Sequence, residues 1–269
     1  MGRISYINAS PVYYGLDHGL APDWLTLVTD VPAALNRKIT ASDIDISPIS
    51  AAYYALHHKD LLLLPDLSIS CRGPVMSVIC AARCPLDDLT GKTVMFSRES
   101  ATGAAFLKMI FAGRGIRPQF QFGPVGDITA IPPDVDAVMV IGDAALTQPW
   151  QTRFSHWYDL GQLWYEMTGL PFVFAVWVVR RSFAAARPDQ VSLALDLLKA
   201  SRKMGYAHLD TVIDAGQAKL GLNRQMVKDY YNRLYCDLDQ EKIAAMTKFF
   251  DGLYQQKILT SRPEIGFFK

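Results

Sequence analysis

Strand-like and helix-like segments alternate from the start of the chain, and this alternation leaves few folds open. Residues 3–7, 25–29 and 43–49 have the length and apolar content of β-strands, and a helix-like segment follows each of them. Repeated strand–helix units are typical of a mostly parallel sheet with helices on both faces. The first part of the chain is therefore predicted to be an α/β structure.

A second strand–helix series starts after a continuous apolar run at residues 75–82, which is typical of a fully buried strand. Strand-like segments follow at residues 91–96 and 136–141, and a longer one lies at residues 170–179. From Pro188 onward the apolar residues recur only with helical spacing. A series that stops and begins again indicates two lobes.

The long apolar runs are the places where the chain is expected to pass between the lobes, near residues 79–85 and 176–181. This division gives a first lobe of residues 1–82 and 179–269, which includes the C-terminal helices, and a second lobe of residues 83–178. Open α/β sheets present loops and helix N-termini at the carboxyl ends of their strands. We therefore predict a two-lobed α/β chain with a ligand cleft between the lobes.

The charge balance excludes several classes of partner. The chain has 27 Lys and Arg residues against 26 Asp and Glu residues, and its net charge of +1 gives no general attraction for nucleic acid or anionic membranes. Its longest apolar runs are shorter than the stretch of about 20 residues that spans a bilayer. The first residues lead into a strand rather than a secretory signal, which predicts a cytoplasmic protein. The sequence leaves the oligomeric state open.

The common signatures of metal and cofactor sites are absent from the sequence. Cys80 and Cys84 are closely spaced, but no second Cys/His pair at zinc spacing accompanies them. The G-K-T tripeptide at residues 91–93 resembles the end of a phosphate loop, yet Leu86 stands where that motif needs Gly. Neither G-x-S-x-G nor H-E-x-x-H occurs. We therefore predict free cysteines, no metal and no cofactor.

Small hydroxyl residues stand between a predicted strand and a predicted helix, in S-R-E-S-A-T-G at residues 97–103. Ser100 and Thr102 offer hydroxyl groups, and Gly103 allows a ligand to approach the N–H groups of the first helical turn. Such a helix N-terminus suits a carboxylate. A plain helix cap explains the same pattern, and the sequence leaves both interpretations open.

Four further polar residues each have a functional and a structural interpretation. Asn8 follows the first strand, where its amide can orient a substrate hydroxyl or cap a helix. Arg72 can clamp a carboxylate or, as the sequence favours, lie solvated at the surface. Ser77 stands in a run too apolar for a surface hydroxyl, so it is a cleft group or a buried serine. Asp143 is better explained as a helix cap than as a catalytic acid.

Five motifs follow one another in order between about Ile4 and Arg181. They are Y-I-N-x-x-P-V-Y-Y-G-L, D-I-D-I-S-P-I-S, L-P-D-L-S-I-S-C-x-G-P-V-M-S, I-G-D-A-A-L and D-L-G-x-L-W-x-x-x-T-G-L-P-F-V-F-A-V-W. Together they resemble the chorismate dehydratases of the futalosine route to menaquinone. The resemblance implies a fold like the type II periplasmic binding proteins. It also implies a hydro-lyase that converts chorismate into 3-(1-carboxyvinyloxy)benzoate and water, without metal or cofactor.

The resemblance implies roles for particular residues. Asn8 and Ser77 would be catalytic and contact the departing hydroxyl or the reacting edge of the ring. The start of the helix at residues 101–103, with the turn at residues 47–50 facing it, would hold the two carboxylates of the substrate. The residues expected to bind substrate are Ser47, Ile49, Ser50, Arg72, Gly73, Ser100, Ala101, Thr102, Gly103 and Asp143. Relatives often carry a hydroxyl residue after Thr102, where this chain has Gly103, so one anion contact is expected to pass to the backbone.

Three questions stay open at this point. The group that removes the ring proton is hypothesised to be a carboxylate of the substrate, because Asp143 is the sole acid among the implied site residues. A 1,4-dihydroxy-6-naphthoate synthase of the same pathway is a second possibility, although that family places His where this chain has Gly142. A solute-binding protein for a small carboxylate is the third, since most proteins of this architecture bind solutes.

Overall fold

A computed structural model describes residues 1–269, which form eleven strands, eleven α-helices and five shorter helical segments. The strands are β1 (Gly2–Ile4), β2 (Val28–Asp30), β3 (Ile46–Ser50), β4 (Leu61–Cys71), β5 (Val78–Ala82), β6 (Thr93–Ser97), β7 (Gln119–Gly123), β8 (Ala137–Ile141), β9 (His156–Asp159), β10 (Phe172–Arg180) and β11 (Leu234–Tyr235). The helices are α1 (Ser10–Gly15), α2 (Pro32–Thr40), α3 (Ala51–His57), α4 (Ala101–Arg114), α5 (Asp143–Thr147), α6 (Leu160–Thr168), α7 (Arg181–Ala186), α8 (Pro188–Ala207), α9 (Leu209–Leu220), α10 (Arg224–Tyr231) and α11 (Gln240–Gln255).

Two larger sheets dominate the architecture, and a short parallel pair of β1 and β2 accompanies them. One has the order β11-β4-β10-β3 and is antiparallel throughout. The other has the order β7-β6-β8-β5-β9, in which β6 runs parallel to β7 and β8 while β5 runs antiparallel to β8 and β9. The prediction of mostly parallel sheets is therefore wrong. Two parallel neighbours in one sheet need a long crossover connection between them. Here the chain instead passes from the first sheet to the second between β4 and β5, and it returns to the first sheet with β10.

The chain passes between the two larger sheets at places that differ from the predicted ones. It leaves the first sheet at the end of β4 and enters the second with β5, so the passage is residues 72–77. It returns between β9 and β10, through α6. The boundaries predicted at residues 82/83 and 178/179 thus need correction, because β5 pairs in the second sheet and β10 in the first. All of β5 and nearly all of β10 are buried, and an apolar run does not reveal which sheet it joins.

The buried core extends through both sheets. Alternate residues of β5 point to opposite faces: Cys80 and Ala82 belong to a cluster of 68 buried residues that unites the lobes, while Ile79 and Ala81 belong to a separate cluster of 12 on the outer face. Helices follow β10 as predicted, apart from the two residues of β11. None of the helices combines the length and apolarity that a bilayer crossing requires.

Candidate active site

The candidate site is a small cleft where elements of both sheets meet. The loop after β1, the ends of β3 and β8, the start of β5, the N-terminus of α4 and the middle of β10 enclose a cavity of about 60 Å³. Glu99 is the one charged residue in its lining, and no Lys, Arg or His faces it. The lining residues are Ile4, Tyr6, Asn8, Pro32, Ser50, Ile69, Ser77, Val78, Glu99, Ser100, Thr102, Ile141, Gly142, Phe174 and Ala175.

Asn8 lies in a short helical turn, Ile7–Ala9, that follows β1 directly. Its side-chain oxygen Oδ1 is buried and has no hydrogen-bond partner. A buried acceptor without a partner costs about 1–3 kcal/mol. Asn8 lines the cleft, so a hydrogen-bond donor of a ligand bound there would satisfy this acceptor.

Ser77 is 2% exposed and stands just before β5. The Tyr230 hydroxyl of α10 donates a hydrogen bond to Ser77 Oγ at 2.9 Å, while the Ser77 carbonyl accepts from the Gly142 N–H. Burial raises the pKa of Tyr230 well above its ordinary value, so this phenol keeps its proton. Because the Ser77 oxygen already accepts from Tyr230, its own O–H is left to donate towards the cleft.

The backbone before Ser77 is strained and is held in place by Asp159. Met76 has a φ of +65°, which is rare for a residue with a side chain. The Asp159 carboxylate accepts from the Val75 N–H at 3.0 Å and from the Met76 N–H at 2.6 Å. Burial raises the pKa of Asp159 against these opposing hydrogen bonds. The D-L-G motif thus fixes the loop that presents Ser77 to the cleft.

The adjacent Tyr231 supports Asn8. Its hydroxyl donates to the Ile7 carbonyl at 2.9 Å, so α10 supports both residues that were predicted to be catalytic. The sequence analysis missed Tyr230 and Tyr231, since nothing in their own helix indicates that they reach a distant strand end. The repeated Tyr in an otherwise polar helix, R-Q-M-V-K-D-Y-Y, is the only local signal.

The N-terminus of α4 is more occupied than predicted. Ser100 caps the helix, since its Oγ accepts from the Gly103 N–H at 3.1 Å, and it also lines the cleft. Thr102 is buried: its hydroxyl donates to the Phe174 carbonyl at 2.9 Å and accepts from the Ala52 N–H at 3.2 Å. The expected carboxylate donors at Thr102 and Gly103 are therefore already used within the protein.

Tyr6 and Glu99 form a pair across the cleft that the sequence analysis did not single out. The Tyr6 hydroxyl donates to the Glu99 carboxylate, and the two residues are 93 positions apart in the chain. Burial, this hydrogen bond and the nearby negative charge all raise the pKa of Tyr6. An acid between a strand end and a helix start was the available signal, in S-R-E-S-A-T-G.

Two of the residues predicted on β3 lie outside the cleft. Ser47 is fully buried and donates to the Pro48 carbonyl. Ile49 is fully buried in the main core. Ser50, at the end of the strand, does line the cleft. Successive side chains along a strand point to opposite faces. The mixture of polar and apolar residues in β3 does not reveal which of the two faces borders a ligand.

Arg72, Gly73 and Asp143 also lie away from the cleft lining. Arg72 forms an ion pair with Glu241 at the surface, which agrees with the structural interpretation of this residue. Gly73 takes a φ of +84° in the same loop. Asp143 begins α5, where its carboxylate accepts from the Ile7 N–H at 3.1 Å and pairs with Lys219 at 3.0 Å. It joins the two lobes beside the cleft.

Two α/β lobes around a small cleft define a class, the periplasmic-binding-protein-like folds. The alkanesulfonate-binding protein SsuA from Xanthomonas axonopodis pv. citri matches with a TM-score of 0.66 over 97% of this chain and 94% of that chain. The sequence identity is 16%, so this likeness establishes the fold alone. The predicted fold class is confirmed.

Sequence comparison identifies the family. The family model described as menaquinone biosynthesis matches residues 1–255, and the chain belongs to that family. It is a homologue of the chorismate dehydratase of Thermus thermophilus, with 30% identity over 94% of both chains. It is also similar to the 1,4-dihydroxy-6-naphtoate synthase of the same organism, with 24% identity over 88% of this chain and 93% of that one. The resemblance that the sequence motifs indicated is confirmed.

Proposed function

We propose that this chain is a chorismate dehydratase, a hydro-lyase that converts chorismate into 3-(1-carboxyvinyloxy)benzoate and water. The homologous dehydratase supports the reaction class. The observation that carries the proposal is that Asn8 Oδ1, a buried acceptor without a partner, shares one cleft with the Ser77 hydroxyl. An acceptor beside a donor is the arrangement needed to orient a substrate hydroxyl and assist its departure.

In this proposal the Ser77 O–H donates to the departing oxygen of the substrate. Tyr230 donates to Ser77 in turn, and a chain of hydrogen bonds strengthens each of its members. Asn8 Oδ1 accepts a hydrogen bond from the substrate hydroxyl and fixes its direction. The ring C–O bond and the C–H bond on the adjacent ring carbon both break, and the new C=C bond makes the ring aromatic.

The ring proton goes to a carboxylate of the substrate itself and then joins the departing hydroxide to give water. Within the cleft, the Glu99 carboxylate already accepts from Tyr6. Asp143, the acid considered from the sequence, is engaged with Lys219 and lies outside the lining. The proposed route uses neither a metal nor a cofactor. We also propose that the protein acts in the cytoplasm.

Gly142 is the observation that separates this proposal from a naphthoate synthase. It has a φ of +66°, and a Cβ atom at this position would lie 2.6 Å from the Tyr6 ring. A histidine here, as the resemblance implies for the naphthoate synthases, would require both the backbone and Tyr6 to move.

The test is incubation of the purified protein with chorismate, followed by loss of the diene absorbance and by chromatographic detection of the aromatic product. We expect complete conversion without an added metal or coenzyme. Tight binding of chorismate without conversion would instead support a solute-binding protein. Indifference to chorismate would support the naphthoate synthase.

A further inference from the structure

The cleft has no positive charge with which to balance a dianion. Its lining holds no Lys, Arg or His, and its one charged residue, Glu99, carries the same sign as the substrate carboxylates. Charges are brought out of water only when they are paired or strongly hydrogen-bonded. If the proposed function holds, any balancing cations therefore come from outside the lining.

A second cavity, of about 340 Å³, adjoins the cleft at Ser100, which lines both. Arg37 of α2, Arg98 before α4 and Lys108 of α4 all face this basic cavity. None of the three forms an ion pair in the structure, whereas other basic side chains such as Arg72 and Arg202 do. Three cations without acidic partners around one space are suited to a carboxylate ligand.

Lys108, the half-buried cation of this basic cavity, lies against aromatic rings, whereas Arg37 and Arg98 are exposed. Lys108 Nζ lies 5.1 Å from the centroid of the Phe122 ring and 5.7 Å from that of Phe96. An Arg98 N–H donates to the Phe122 carbonyl at 3.4 Å. Partial burial lowers the pKa of Lys108, as expected for an ammonium group with no anion beside it. An anionic ligand would relieve this cost.

The geometry of the substrate indicates which part of the ligand reaches this space. The ring carbon that bears the carboxylate stands opposite the carbon that bears the leaving hydroxyl. When that hydroxyl is at Asn8 and Ser77, the ring carboxylate therefore points away from them.

We propose that the basic cavity lined by Arg37, Arg98 and Lys108 is a carboxylate subsite, which receives the ring carboxylate of the substrate past Ser100. The inference rests on the proposed function and adds the source of the counter-charge. It also places Ala101 in the carboxylate subsite, because Ala101 lines the basic cavity instead of the cleft.

The test compares the wild type with Arg37→Gln, Arg98→Gln and Lys108→Met. Arg114→Gln is the matched control. Like Lys108, Arg114 is a basic residue of α4, but its side chain lies outside the cavity and pairs with Asp87. We expect KM for chorismate to rise about tenfold in each cavity variant and about a hundredfold in the Arg37/Arg98 double variant, with kcat within about threefold. Arg114→Gln should leave both constants unchanged.

Equilibrium binding then identifies the carboxylate. Calorimetry compares the diacid product with 2-phenoxyacrylate, which lacks the ring carboxylate. The wild type should prefer the diacid, and the double variant should lose that preference while its affinity for 2-phenoxyacrylate stays within about twofold. Equal losses for both ligands, or an unchanged KM in an active enzyme, would overturn the subsite alone. A wild type that neither converts chorismate nor binds the diacid would overturn the proposed function and the subsite together.

Discussion

The two sides of the cleft are chemically unlike. On the side supported by α10, Asn8 and Ser77 are neutral groups, and two buried tyrosines hold them in place. On the side of α4, Glu99 faces the cleft and the basic cavity lies beyond Ser100. Oriented neutral dipoles stabilise a developing charge with little dependence on salt, whereas half-exposed charges act on a charged ligand at longer range and are screened. Under the proposed function, we expect bond breaking on the first side and substrate capture on the second.

The largest expected effect is on the neutral side. Ser77→Ala removes the donor to the departing oxygen, and we expect kcat to fall by about 10²–10³ with little change in KM. The same change leaves the buried Tyr230 hydroxyl without its acceptor, which should lower the free energy of unfolding by about 1–3 kcal/mol. Steady-state kinetics and urea unfolding measure the two effects.

Ser70→Ala is the matched control for this loss. Ser70 is a buried serine of β4, and its hydroxyl donates to the Tyr235 carbonyl outside the cleft. This variant should lose stability but keep its kcat. A Ser77→Ala enzyme with nearly full kcat would remove the chemical role of the neutral side.

The second effect concerns the acid on the opposite side. Glu99→Gln keeps an acceptor for the Tyr6 hydroxyl but removes a negative charge from a cleft that receives a dianion. We expect KM for chorismate to fall about threefold and kcat to change by less than about threefold, since an ion pair or repulsion at a partly exposed site is worth about 0.2–1 kcal/mol. A fall in kcat of about 10²–10⁴ would instead identify Glu99 as the base that takes the ring proton.

The contrast between the sides also explains which site residues could be predicted. Asn8 directly follows a strand and Ser77 stands inside an apolar run, so both are marked by their immediate neighbours. Tyr230 lies 153 positions from Ser77, and no local pattern predicts that hydrogen bond. Thr102 was expected to bind substrate because it offers a hydroxyl at a helix start, but β10 supplies the Phe174 carbonyl that takes this hydroxyl.

The fold was predicted to a similar degree, for a similar reason. Two lobes follow from the restarted strand–helix series, which is a property of neighbouring segments. The direction and partners of pairing depend on distant segments instead. The prediction placed β5 in the first lobe and most of β10 in the second, whereas β5 pairs in the second sheet and β10 in the first. Local periodicity reports burial, whereas strand partners are chosen by long-range packing.

The pH dependence of stability tests whether burial keeps the two supporting tyrosines of the neutral side protonated. Burial raises the pKa of Tyr230 and Tyr231 above the ordinary value of about 10. Above about pH 10 the unfolded chain therefore binds fewer protons than the folded protein, and the free energy of unfolding falls as the pH rises. Tyr230→Phe removes one such group and should make this fall shallower, by an amount that grows with pH and approaches about 1.4 kcal/mol per pH unit near pH 11.

Urea unfolding at pH values from about 8 to 11 measures that slope. Tyr235→Phe is the control, because Tyr235 is 43% exposed, whereas Tyr230 is buried. Identical slopes for the wild type and Tyr230→Phe would mean that Tyr230 releases its proton as easily in the folded protein as in the unfolded chain. The hydrogen bond from Tyr230 to Ser77 would then not be secured by burial.

The smallest effect is expected at Asp143, which joins the two sides without lining the cleft. Its partner Lys219 is half exposed, so Asp143→Asn should lower the free energy of unfolding by about 0.2–1 kcal/mol and leave kcat within about twofold. Lys219→Met removes the same ion pair from the other end and should match it in urea unfolding. If Asp143→Asn alone abolished turnover while substrate affinity and stability stayed intact, Asp143 would have to take part in the reaction. The substrate carboxylate could then no longer be the sole acceptor of the ring proton.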